Sequence, residues 1–183
     1  NGIWTAIPVV TKPDDRVYCN RWERCQTMAK VKITDEYTAE GLRLKKALKE
    51  LDKLECFIGF QRGEAKEKDG TDITDIAAWN ELGTSRGIPS RPFIRNTVDL
   101  NEDEINDTLD QMVTEIMNGA TAEQVLRKAG VYLKGKMQTE ITDGSYAPNA
   151  PATIKRKGSD KPLIDTGTMR NSVNYQIGKR GRL

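Results

Sequence analysis

Asp165-Thr166-Gly167, within the stretch KPLIDTGTMRNSVNYQI at 161–177, is the tripeptide in which aspartic proteases hold a catalytic carboxylate. Acid–base work of that kind needs two carboxylates close enough to share a proton, each on a loop braced by a sheet. The sequence has a single Asp-Thr-Gly, so a second copy would have to bring the other carboxylate, and residues 166–183 are too few for the flap and remaining strands. A local role is expected instead: the Asp165 carboxylate or the Thr166 hydroxyl accepts backbone N–H bonds at the start of a short helix.

Other catalytic and ligand-binding arrangements are equally poorly supplied. Histidine is missing from the chain, which removes the commonest general base, the Ser-His-Asp arrangement and every His-containing zinc site. GTSRG and RGEAKEKDG lack the Gly-Lys-Ser/Thr ending of a phosphate-binding loop and read as turns. Glu102, Asp103, Glu104 and Asp107 could hold a divalent cation, but the first of them abut a helix N-terminus, where the macrodipole favours acids without any metal. The basic run IKRKGSDK has no aromatic ladder beside it for stacking on bases. Cys19, Cys25 and Cys56 have no CxxC spacing and an odd count, which reads as free thiols in a reducing compartment. Neither cofactor nor metal is expected, and no apolar run reaches the length of a membrane span.

The elements that must position these residues follow from periodicity. Leu44, Ala47, Leu48, Leu51 and Leu54 recur at helical spacing over 38–54, and LECFIGFQ at 54–61 is the best strand candidate. A second helix runs over 72–82 and should stop at Gly83, while GTSRGIPSRPF is loop, with its prolines biasing Ile88 and Arg91 to extended backbone. Asn101 can cap an acidic helix with an Ile105, Leu109, Met112, Val113, Ile116 stripe. Thr121 and Gln124 form a capping-box pattern opening a long helix along Val125, Ala129, Leu133 and Met137. The Pro- and Gly-rich segment TDGSYAPNAPATIKRKGSDKP reads as a long loop, followed by a short helix near 166–171 and a strand on which Val173, Tyr175 and Ile177 alternate. The fold class is α+β: a small antiparallel or mixed sheet packed with about four helices, an extended N-terminal arm and a long C-terminal loop. Residues 1–27 form either an arm that docks its aromatics on a neighbour or an extension from a different start site, and 28–183 form a single α+β domain.

Charge is divided along the chain although its total is only +2. From Asp99 to Gln124 there are acids and no bases, whereas after residue 150 Lys155, Arg156, Lys157, Lys161, Arg170, Lys179, Arg180 and Arg182 face only Asp160 and Asp165. Such a pattern is either a solvated helix face with a basic tail or a basis for head-to-tail self-association.

IAAWNELGTSRGIPSRPFIRNTVD at 76–99, followed after two helices by APATIKRKGSDKPLIDTGTMRNSVNYQIG, resembles the neck and tail-completion (head–tail connector, minor tail) proteins of long-tailed bacteriophages. The likeness spans roughly residues 40–178 and rests on Glu81, Gly83 and the Arg91-Pro92-Phe93 turn ahead of the acidic helix, and on the KPLIDTG element ahead of the last strand. It implies a virion protein with no reaction to catalyse, made in the host cytoplasm and built into a ring, expected to be hexameric, at the head–tail junction. Implied partners are further copies of itself, head-closure or connector proteins, tail-terminator or tail-tube proteins, and non-specific contact with the passing DNA, with no membrane. The expected subunit contact sets Glu102, Asp103, Glu104 and Asp107 of one copy against Lys155, Arg156, Lys157 and Lys161, or the C-terminal tail, of the next. In the turn, Pro92 constrains the backbone, Phe93 anchors it in the core, and Arg91 is free to pair with a carboxylate such as Glu81. The alternative is a DNA-binding accessory protein that uses IKRKGSDK and GKRGR as its phosphate contacts.

Overall fold

The computed structural model describes residues 4–6 and 37–181. In chain order the elements are β1 (Trp4–Ala6), α1 (Ala39–Leu51), β2 (Leu54–Gly59), α2 (Ile73–Leu82), α3 (Phe93–Asp99), α4 (Glu102–Met117), α5 (Ala122–Asp143), α6 (Pro151–Lys157), α7 (Thr168–Ser172) and β3 (Asn174–Lys179). The fold is α+β with an antiparallel sheet ordered β1-β2-β3. β2 is central because its residues are apolar on both faces: Cys56 and Ile58, with Phe60 just beyond its end, enter the main core while Phe57 is buried on the other side. The expected arm over 1–27 lies outside the described residues except for Trp4–Ala6, which pairs with Phe57–Gly59.

The long helix α5 carries the sheet. Thr121 and Gln124 close a reciprocal capping box at its start, with Thr121 N–H donating to Gln124 Oε1 at 2.9 Å and Gln124 N–H to Thr121 Oγ1 at 3.3 Å. Val125, Leu126, Ala129, Leu133, Met137 and Ile141 form its buried stripe, and at about 1.5 Å per residue they line a ridge that spans the whole domain. α4 packs against α5 in the opposite direction, as the Glu104–Lys136 and Glu115–Lys128 pairs show. α1 contributes Leu44, Ala47 and Leu51 to the edge of the core and buries no residue completely.

Gly130 sets how closely α5 approaches the sheet. A Cβ there would lie 2.4 Å from Cδ2 of Tyr175 on β3. Gly130→Ala is expected to destabilise the protein by about 1 kcal/mol, the overpacking outweighing the gain in helix propensity. In a Tyr175→Ala background the same substitution is expected to become stabilising, and urea unfolding of the four proteins of this cycle checks the reversal.

One helix, α6, stands where the sequence reads as loop, and another, α3, in a stretch to which the sequence assigns no element. α3 starts immediately after Pro92, and α6 occupies the first part of the basic segment with Pro151 in its first turn and Gly158 in the left-handed conformation closing it. Asn101 does not cap α4: its Nδ2 donates to the Thr97 carbonyl at 2.9 Å, because α3 ends just upstream and its carbonyls are within reach. Gly83 ends α2 as expected, at φ 75. A Cβ there would also come within 2.9 Å of Ser90 N, so the 84–90 turn folds back against that glycine.

Candidate functional site

The two motifs, far apart in sequence, meet at Arg91. Its side chain is 5% exposed, and its guanidinium spreads over four acceptors. Nε donates to the Ala147 carbonyl at 3.0 Å, Nη1 to Asn80 Oδ1 at 2.8 Å, and Nη2 to the Pro148 carbonyl at 3.3 Å and Asn149 Oδ1 at 3.1 Å. Asn149, itself buried, donates through Nδ2 to the carbonyls of Lys161 at 3.1 Å and Asp160 at 3.4 Å. One planar, multidentate cation thereby ties α2, the 84–92 turn, the 144–150 loop and the KPLIDTG element together. All four acceptors are neutral, so burial lowers the guanidinium pKa from its ordinary value.

Glu81 is not the partner of Arg91. Its carboxylate turns the other way and accepts the backbone N–H groups of Ile94, at 2.8 Å to Oε2, and Arg95, at 3.3 Å to Oε1. These are N–H groups that α3 leaves unpaired at its start, and Pro92 offers no side-chain cap, so a buried acid from α2 does that work. The Arg95 side chain adds an exposed ion pair to Glu81 at 3.8 Å. Phe93, the first residue of α3, is fully buried edge-on to Phe60, with ring centroids 6.0 Å apart.

In Asp165-Thr166-Gly167 the hydroxyl takes the local role. Thr166 Oγ1 accepts Thr168 N–H at 3.2 Å, where α7 starts, and donates to Glu67 Oε1 at 2.8 Å. Gly167 holds the left-handed conformation before α7, and Asp165 is exposed and makes no hydrogen bond among the described residues.

Between these parts lies a cleft of about 530 Å³. Trp79, Ile88, Pro89 and Leu163 give it an apolar lining, and Arg91, Arg156, Lys157, Glu67, Asp69 and Asp165 bring charges to it. Burial holds the Lys157 ammonium below its ordinary pKa, with Arg91 and Arg156 acting in the same direction and Asp165 opposing them. Its Nζ donates to the Lys161 carbonyl at 3.0 Å. Lys155, Arg156 and Lys161 are exposed, and their side chains make no ion pair among the described residues.

Comparison with family models, curated proteins and solved structures found no match.

The acidic set splits in two. Glu104 is engaged within the chain, accepting from Tyr132 Oη at 2.7 Å and pairing with Lys136, contacts that hold its carboxyl below the usual range. Glu115 likewise takes Lys128 at 2.7 Å. Glu102, Asp103 and Asp107 are exposed and unpaired among the described residues. Part of the basic tail is also satisfied in place, since Arg180 pairs with Asp52 at 3.2 Å and Glu55 at 3.6 Å. Among the described residues no three acidic or sulfur ligands converge on a metal position, and no helix is long and apolar enough to cross a membrane.

Asn80, Asn149 and Lys136 belong to these contacts and were not singled out in the sequence. Asn149, between two prolines in APNAP, carries the one local hint, a polar side chain in a stretch otherwise poor in hydrogen-bonding groups. Lys136 and Tyr132 have an (i, i+4) relation on α5, but their link to Glu104 is long-range.

Proposed function

We propose that the chain is a structural protein of a tailed-phage virion, assembling head to tail into a ring at the head–tail junction that joins tail to head and lets DNA pass. The observation that carries this reading is the Arg91 network. The motifs on which the phage resemblance rests pack against each other, and their charged and polar residues are absorbed in holding loops and capping helices. Such residues build a shape for other proteins to meet. The outward charges agree with that role: unpaired acids at the start of α4 and unpaired bases on and after α6 provide unlike surfaces for a heterologous contact.

Copies of the chain are its first partner in this reading, with a hexamer expected. Head-closure or connector proteins and tail-terminator or tail-tube proteins lie on either side of the ring, and contact with DNA is confined to phosphates. Light scattering on the purified protein at low and high salt tests the proposal. A discrete ring-sized species, or a monomer that closes into one when tail-tube protein is added, is the expected result. A monomer indifferent to head and tail components yet retained by duplex DNA, with an affinity falling steeply in salt, would transfer the function to a DNA-binding accessory role.

A further inference from the structure

We infer that the corner between α3 and α4 of one copy seats in the cleft of the next copy, which rests on the head-to-tail reading above and gives it a specific contact. The corner is an apolar point in an acidic setting. Leu100 is 70% exposed, and Asp99, Glu102 and Asp103 around it are exposed without an ion pair among the described residues. The cleft is the converse, with Trp79, 44% exposed, and Ile88 and Pro89 as an apolar lining.

Its charges favour an acidic guest. Of the three carboxylates that line it, Glu67 is committed to Thr166 and Asp69 accepts Thr71 N–H at 2.9 Å, while Asp165 faces Lys157. Against them stand four cations: Arg91 has only neutral partners, Lys157 faces Asp165, Arg156 acts on Asp69 without a close ion pair, and Lys68 is exposed with no ion pair among the described residues. The lining thus keeps one net positive charge beside its apolar part, and Asp99, Glu102 and Asp103 are the matching groups.

The two features sit at opposite ends of α3. Arg91 precedes its first residue and Leu100 follows its last, so about 10 Å of helix separates them at 1.5 Å per residue. A short helix held at its start by Glu81 cannot bend its own corner into its own cleft. Each copy therefore presents a knob at one end and a hole at the other, an arrangement that adds subunits in one direction until a ring closes.

Two variants of the full chain test this, each disabling one side: Leu100→Gln and Arg156→Glu. Both positions are exposed, and circular dichroism melting should match wild type. If either shifts, Asp103→Asn or Lys68→Glu replaces it. Under the condition in which wild type assembles, each variant alone is expected at the monomer mass of 20.5 kDa. Mixed in equal amounts they are expected to form a one-to-one pair of twice that mass and nothing larger, because one intact knob and one intact hole remain. Variants that still assemble like wild type overturn this contact while leaving the ring intact. Variants that stay monomeric when mixed overturn the knob-and-hole assignment. A wild type that never assembles, with or without head and tail proteins, removes the ring reading and this contact together.

Discussion

Phe93→Ala lowers the unfolding free energy by about 3–5 kcal/mol, the cost of removing a large aromatic from a core that cannot close over the gap. The site leaves little room to relax. Phe93 has no exposed surface, its ring meets Phe60 at an interplanar angle of 77°, and it is the first residue of a helix whose start is fixed by Glu81. Urea denaturation measures the loss, and for a chain of this size the melting temperature should fall by about 6–20 °C. A Phe93→Ala protein as stable as wild type would mean that the turn and α3 are peripheral to the core.

Arg91→Leu is expected to cost about 2–3 kcal/mol, because the guanidinium leaves behind one buried acceptor, Asn149 Oδ1, and three half-buried ones. Arg91→Lys keeps the charge and still loses most of this, since an ammonium cannot spread over Ala147, Pro148, Asn80 and Asn149 at once. A local readout separates the mechanism from a general loss of stability. Limited proteolysis should cut within 144–150 in either variant under conditions where the wild-type loop resists. A protected loop in Arg91→Leu would contradict the role given to the network.

The readable parts of the fold were those whose signal is local. The capping box at Thr121 and the apolar periods on α1, α4 and α5 place these helices, although α1 ends at Leu51 and Leu54, expected on its stripe, opens β2. α3 was hidden because its seven residues follow two X-Pro steps and its N-terminal donors are satisfied from α2, a contact with no sequence pattern. α6 was hidden inside a composition that reads as loop, although Pro151 in the first turn and Gly158 after the last are ordinary helix punctuation.

At the candidate site, residue types were legible and pairings were not. Arg91 and Glu81 are natural partners on paper, yet Arg91 is met by carbonyls 56 and 57 residues further along the chain, and these are invisible to any reading of side chains. Glu104 looked like an interface acid, and its partners on α5 emerge only when α4 packs antiparallel to that helix. The acids left for a neighbour are therefore fewer than the sequence offers. They gather at the α3–α4 corner and along the first turns of α4, where the helix dipole already tolerates them.

The central claim is a closed ring, and electron micrographs of the purified protein, alone and mixed with tail-tube protein, test it most directly. Uniform rings with an open channel wide enough for a DNA duplex are the expected result, in at least one of the two preparations. Isolated monomers or compact dimers without a channel in both preparations would contradict it.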